Sequence, residues 1–228
     1  MIRLTLRTWA RYLAPLAVLS VVALAPALYL AHAAPLPVDV EHARALCRLG
    51  WIIAAVAWIP QLVLVGGAAP AARGIVARAP ISQLHALGGG AIQLVRAIVP
   101  CLAAAFAIVL GGVALLVPGV ILFALLALTG ASDARGMPGP LADSVASARG
   151  QLIAVATAAF AMLAADLAIP TVLWIVERGM PLSHRSTPDE LAVARWFLRA
   201  TVVGIAAVSA LPATALALLH ARRYTGGR

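Results

Sequence analysis

The chain has 228 residues, of which 63% are hydrophobic and 11% charged, with a net charge of +9 and a mean hydropathy of +1.00. A soluble domain is roughly half apolar and about a quarter charged, so this composition excludes an ordinary soluble enzyme, a disordered tail and a disulfide-rich secreted scaffold. All 17 basic side chains are arginines set between apolar runs, a pattern that fits topogenic charge beside anionic headgroups and argues against a nucleic-acid groove.

A bilayer core takes about 20 apolar helical residues. The first uncharged run is Tyr12 to Ala31, between Arg11 and His32, and the second is Leu49 to Ala72, between Arg48 and Arg73. The third runs from Ala97 to Ser132, about 54 Å as one helix and too long for a single span. Pro118-Gly119 is a turn signal past its middle, so this run is expected to form a hairpin of 97–116 and 119–132. The fourth apolar region, 151–176, holds one charge, Asp166. The last span, 198–219, follows Thr187-Pro188-Asp189-Glu190. That stretch reads as a helix start, with Thr as N-cap, Pro in the first turn and acids at the positive end of the dipole.

The expected fold is therefore all-α: one integral membrane domain over 1–228, a polytopic bundle of six transmembrane helices. The positive-inside rule orients it with both termini in the cytoplasm, leaving 11 Arg on the inner side and 6 on the outer. Trp9, Tyr12 and Tyr224 then fall at the inner boundary, and Tyr29, Trp51, Trp174 and Trp196 at the outer one, the level that amphipathic rings prefer. Trp58 does not fit this belt and is expected against lipid or a neighbouring helix. Ala31-His32-Ala33 also has the form of a signal-peptide cleavage site, but the preceding apolar run is long for a signal segment of ~7–15 residues. The first helix is therefore read as retained. Cys47 and Cys101 fall on opposite sides of the membrane and are read as small packing residues.

Three inner-side stretches look alike. Leu4 to Pro15, Leu87 to Pro100 and Pro140 to Gly150 each read as a short helix-like segment with Arg near its end, leading into a long apolar run. Short interfacial helices on the cytoplasmic side are the expected form. The pattern resembles a bacterial family, the membrane domain found beside glycerophosphoryl diester phosphodiesterases and in stand-alone relatives. Four stretches carry the likeness. Ala68 to Arg73, continuing through Arg78 to Ser82, looks like the family's linker, and Leu115-Leu116-Val117-Pro118-Gly119-Val120-Ile121-Leu122 looks like its Pro-Gly signature. Gly139 to Gly150 looks like its interfacial segment, and Leu211-Pro212-Ala213 through Arg223 looks like its closing span. Val145 and His220 depart from the aromatic residues usual there. In the fused enzymes the membrane domain is not the catalytic part, so the resemblance implies no active-site residues. The chain also has no room for a catalytic barrel of about 250 residues.

Asp166 is the most informative single residue. A carboxylate at the centre of a span costs ~2.5–3.5 kcal/mol on insertion scales, and is a candidate functional group for a proton, a cation or a cationic headgroup. The reading placed first is structural, a protonated or hydrogen-bonded Asp holding two helices together. Pro170, four residues on, frees the Asp166 carbonyl, and a broken helix beside a charge is a transporter device. The five histidines are scattered, with no i, i+4 pair and no metal-ligand motif. Ser209, Ala213 and Ala217 form a small-residue stripe suited to packing within the chain or to a dimer face. Gly88-Gly89-Gly90 lacks a phosphate-loop pattern and is expected to be a loop or hinge. No nucleophile, base and acid arrangement appears.

The expectation is a non-enzymatic integral membrane protein of the bacterial inner membrane that organises lipids or a partner membrane protein. Arg7, Arg11, Arg73, Arg78, Arg96 and Arg149 are candidate contacts for anionic headgroups. No catalytic, cofactor or metal site and no nucleic-acid partner is expected. The alternative is a small proton- or cation-coupled transporter or channel that uses Asp166.

Overall fold

Runs dominated by Ala and Leu, the strongest helix formers, become helices along almost the whole chain. A computed structural model describes residues 2–114, 116–132, 139–177 and 186–225, and among them there is helix but no strand. Four helices are long and apolar enough to cross a membrane: α5 (Trp58–Val76), α6 (Gln83–Ala114), α9 (Leu152–Glu177) and α10 (Pro188–Thr225). A fifth candidate is the pair α2 (Leu13–Ala23) and α3 (Ala25–Ala33), bent by 64°. The shorter helices are α1 (Ile2–Arg11), α4 (Val40–Val56), α7 (Leu116–Leu126) and α8 (Pro140–Arg149).

Prolines place the breaks. The run from Tyr12 to Ala31, expected as one span, is this bent pair: Pro26, at the second position of α3, cannot donate back to Val22, and the chain bends at Leu24. The expected span 49–72 straddles the junction of α4 and α5 at Ala57, because Pro60 cannot donate to Val56. The described candidate span is shifted to Trp58–Val76. Asp39 caps α4, its side chain accepting from the His42 backbone N–H at 2.8 Å. That bond, with the His42 ring beside it, holds the Asp39 carboxyl below its usual range.

The glycine triplet is not a loop or hinge. Gly88-Gly89-Gly90 lies inside α6, which runs unbroken through Pro100, so the second of the three expected interfacial segments is the first half of a long helix. Gly90 is required by packing: a Cβ there would sit 2.6 Å from the Gly67 carbonyl oxygen. The expected hairpin forms, with Pro118 in the first turn of α7 instead of in the turn between the arms. Its returning arm is short. α7 has 11 residues, about 16 Å of helix, and gives way to a 3-10 turn at Thr129–Ala131. By length and composition, then, the described residues hold four candidate spans, or five with the bent pair, and the hairpin's return is not among them.

That 3-10 turn is buried against α5. A Cβ on Gly130 would run into the Leu62 carbonyl oxygen, with the Gly66 nitrogen 3.0 Å away, so two backbones touch where glycine alone allows it. Irregular backbone at membrane depth needs its polar groups satisfied by protein. Here Ser144 of α8 donates to the Leu125 carbonyl at 2.8 Å and Thr129 to that of Leu126 at 2.7 Å. Ser132 donates to Leu128 at 3.4 Å, and Gln93 of α6 reaches the Ser132 carbonyl at 3.3 Å.

α10 begins where the sequence placed it. The Thr187 N–H donates to Glu190 Oε2 at 2.7 Å and the Glu190 N–H returns to Thr187 Oγ1 at 3.4 Å, a reciprocal capping box. α10 then packs along α5, α9 and α4, with Ser209, Ala213 and Ala217 all buried in the fold. The small-residue stripe thus serves packing within the chain. Trp58 meets Phe123 edge to face at 5.5 Å between ring centroids, so it faces a neighbouring helix. Tyr29, Trp174 and Trp196 are exposed at the opposite end from α1, as a headgroup belt requires. Tyr12 is instead fully buried, its hydroxyl donating to the Ile81 carbonyl at 2.9 Å.

Candidate functional site

Arginines far apart in sequence gather at one end of the bundle. Hydrogen bonds fix that end: Tyr12 to Ile81, Gln83 to the Arg11 carbonyl, Gln151 to the Leu219 carbonyl, and Arg223 to Ser147. They bring together α1, the α5–α6 connection, α8 and the last turns of α10. At the other end Arg199 donates to the carbonyls of Ala31 and His32 at 3.1 and 2.8 Å, placing a cation on the negative end of α3.

Of the six candidate headgroup contacts, two share a cleft. Arg73 near the end of α5 and Arg96 of α6 line a cleft of about 490 Å³ with the Gln93 amide, floored by Pro70, Gly74 and Gly89. Among the described residues its lining holds no carboxylate. Arg96 lies two turns deeper along α6 than Gly89, and an exposed guanidinium reaching back along its own helix is how a long basic side chain meets headgroup level. Two guanidinium groups and an amide donor around one opening suit a phosphate, whose oxygens accept several forked N–H bonds at once.

The other four are exposed and separate. Arg7 and Arg11 share one stripe of α1 with Arg3, on consecutive turns. The Arg11 guanidinium also sits 5.9 Å from the Tyr12 ring centroid. Arg149 closes α8, where a cation favours the helix dipole. Arg78 has a left-handed backbone, φ 56°, at the end of α5, and the Ala79 N–H returns to the Gly74 carbonyl at 2.9 Å. This is a Schellman turn with arginine in the position that glycine ordinarily takes.

Asp166 is fully buried in α9. Gln61 of α5 donates through Nε2 to Asp166 Oδ1 and to Ser209 Oγ of α10, both at 2.7 Å, and Ser209 donates on to the Ile205 carbonyl at 2.6 Å. One amide thus joins three helices. Asp166 Oδ2 and Gln61 Oε1 are buried with no hydrogen-bond partner. α9 is unbroken through Pro170, so the broken-helix geometry expected beside this charge is not formed.

A second polar cluster was not singled out from the sequence. Asp143 of α8 is 3% exposed and His220 of α10 is 4% exposed. His220 Nε2 lies 3.0 Å from Asp143 Oδ2, and Arg223 Nη1 lies 3.8 Å from Asp143 Oδ1 and donates to Ser147 Oγ at 2.7 Å. α8 therefore turns its polar face inward onto α10, where an interfacial helix was expected to face water. Among the described residues no three His, Cys, Asp or Glu side chains are grouped as a metal site. Both cysteines are buried thiols that form no disulfide among the described residues. Comparison with family models, curated proteins and solved structures returns no match to this chain.

Proposed function

We propose that this is a six-crossing integral membrane protein of a bacterial inner membrane, with both termini in the cytoplasm, that acts as a non-catalytic module binding anionic lipid headgroups on its inner face. The observation that carries the reading is the convergence of Arg73, Arg96 and Gln93 on one cleft. The sixth crossing is supported by the path of the hairpin's return. Gly119 packs on Gly112 at one end and Ser132 meets Gln93 at the other, 19 residues of α6 or about 28 Å, close to a hydrocarbon core of ~30 Å. The resemblance to the membrane-domain family accords with a module that catalyses nothing itself.

The test is native mass spectrometry in neutral detergent during titration with phosphatidylglycerol. Arg96→Ala is expected to weaken retention about tenfold, the loss of one charge-assisted contact, with no change in melting temperature because the side chain is exposed. Equal retention by wild type and variant overturns the cleft as the site.

A second reading, an ion or proton pathway through Asp166, draws on the two buried oxygens without partners, Asp166 Oδ2 and Gln61 Oε1. Asp166→Asn separates the two. The amide keeps the acceptor that Gln61 uses, so folding is expected to be unchanged, and no gradient-driven flux in liposomes is expected from either protein. Flux carried by the wild type and lost in the variant would favour the second reading. Asp166→Leu, by contrast, is expected to lower stability by about 1 kcal/mol, the scale of one interhelical hydrogen bond in a membrane.

A further inference from the structure

An apolar groove of about 630 Å³ runs between α9 and α10 and is closed at one end by α1. Its α9 wall is Ala154, Ala158, Ala161 and Ala165, and its α10 wall runs from Val208 to Leu219. Both walls span 11 residue steps, about 16 Å of helix, from the basic end of the bundle to the level of Asp166. That is half of a ~30 Å core, the depth of a single leaflet. A partner transmembrane helix would need a seam along the whole core, so the length argues for one lipid chain. The mouth carries the matching charge. Ile2 and Leu6 of α1 line the groove, and Arg3 and Arg7 follow each of them by one residue, about 100° round the helix. Both arginines are exposed and neither has an ion-pair partner among the described residues.

We infer that this groove seats one acyl chain of an anionic phospholipid in the leaflet on the α1 side, with its phosphate held by Arg3 and Arg7. The inference rests on the membrane-spanning reading above but not on the Arg73–Arg96 cleft, which lies between α5 and α6. Thr157 keeps the wall apolar by donating its hydroxyl to the Ile153 carbonyl of its own helix at 2.8 Å. The groove ends one residue short of Asp166 on α9 and one residue beyond Ser209 on α10, so the chain terminus would lie against the turns that carry the buried polar clamp.

The test uses the full chain in phosphatidylcholine vesicles doped with phosphatidylglycerol bearing a photoactivatable group midway along one acyl chain. A phosphatidylcholine analogue of the same probe is the comparison. Labelled peptides mapped by mass spectrometry are expected to cover 154–165 and 208–219, with the phosphatidylglycerol probe favoured. Ala161→Trp, which fills the groove from an exposed position, is expected to abolish this labelling. The double variant Arg3→Gln and Arg7→Gln cannot disturb packing and is expected to cut the preference about fivefold per arginine removed. Arg96→Ala is expected to leave it unchanged, which separates this site from the cleft. Equal labelling by both probes, labelling that survives Ala161→Trp, or disulfide-linked dimers of an Ala161→Cys variant would each overturn the proposal.

Discussion

Gly130→Ala is expected to cost the protein its folded state. The added methyl would run into the Leu62 carbonyl oxygen and approach the Gly66 nitrogen to 3.0 Å, and both obstacles are backbone inside α5. Overpacking a core costs ~1–3 kcal/mol where side chains can shift, and here none can. The turn at Thr129–Ala131 would have to lift from α5, breaking the bonds from Gln93 and Ser144 that satisfy the irregular backbone. Against a total stability of about 5–15 kcal/mol, such a loss should appear as aggregation on size-exclusion chromatography in detergent. Gly88→Ala is the control. It sits in α6 with open space where the methyl would go, and should gain ~0.5–1 kcal/mol from helix propensity. A Gly130→Ala protein that elutes and melts like wild type would mean that the turn is not seated on α5.

The second large effect is expected at Asp143. Removing its carboxylate in Asp143→Ala leaves His220 and Arg223, both turned toward it, without that acceptor. Stranding a buried hydrogen-bonding group costs about 1–3 kcal/mol. The loss should appear as a lower melting temperature and as faster proteolysis at α8, which is held to α10 through this cluster and through Ser147. Asp143→Asn retains an acceptor for His220 and should lose less. Because the carboxylate is buried, its contribution should change little with salt, unlike that of an exposed pair such as Arg44 and Glu41. Non-additive effects of Asp143→Ala and His220→Ala in a double-mutant cycle would measure the contact directly.

What could be read from the sequence follows the range of the interaction. The start of α10 depends on four consecutive residues, Thr187 to Glu190, and was legible in full. The hairpin of α6 and α7 followed from length, since 36 apolar residues cannot be one span. Its turn was misplaced because Pro118-Gly119 opens a helix as readily as it breaks one. The glycine triplet misled in the same way. Three glycines usually punctuate a chain, but α6 absorbs them because Gly90 gives close contact with α5. Asp166 stood out as a lone charge in an apolar run. Gln61, an isolated amide in another such run, was the available signal for its partner, but 105 residues separate the two and nothing local joins them. Asp143 and His220 were hidden more deeply, since each sits in a polar flank where such residues are ordinary. Arg73 and Arg96 were both named from their flanks, and only the antiparallel packing of α5 and α6 makes them neighbours.

α10 is made after every other helix described above, and it touches most of them. Ser209 completes the Gln61–Asp166 clamp, the Ala206 carbonyl accepts from Ser20 at 2.6 Å, Arg199 caps α3, and His220 and Arg223 hold α8. A nascent chain stopped before residue 188 would have α5 and α9 in the bilayer without the helix that packs beside them. In such a chain Gln61 and Asp166 lack the helix that covers them, and α8 keeps its bond from Ser144 to Leu125 but loses His220 and Arg223. Biogenesis therefore has a built-in checkpoint. A chain that lacks α10 presents polar groups that the folded protein hides, and translation of that 38-residue helix covers them.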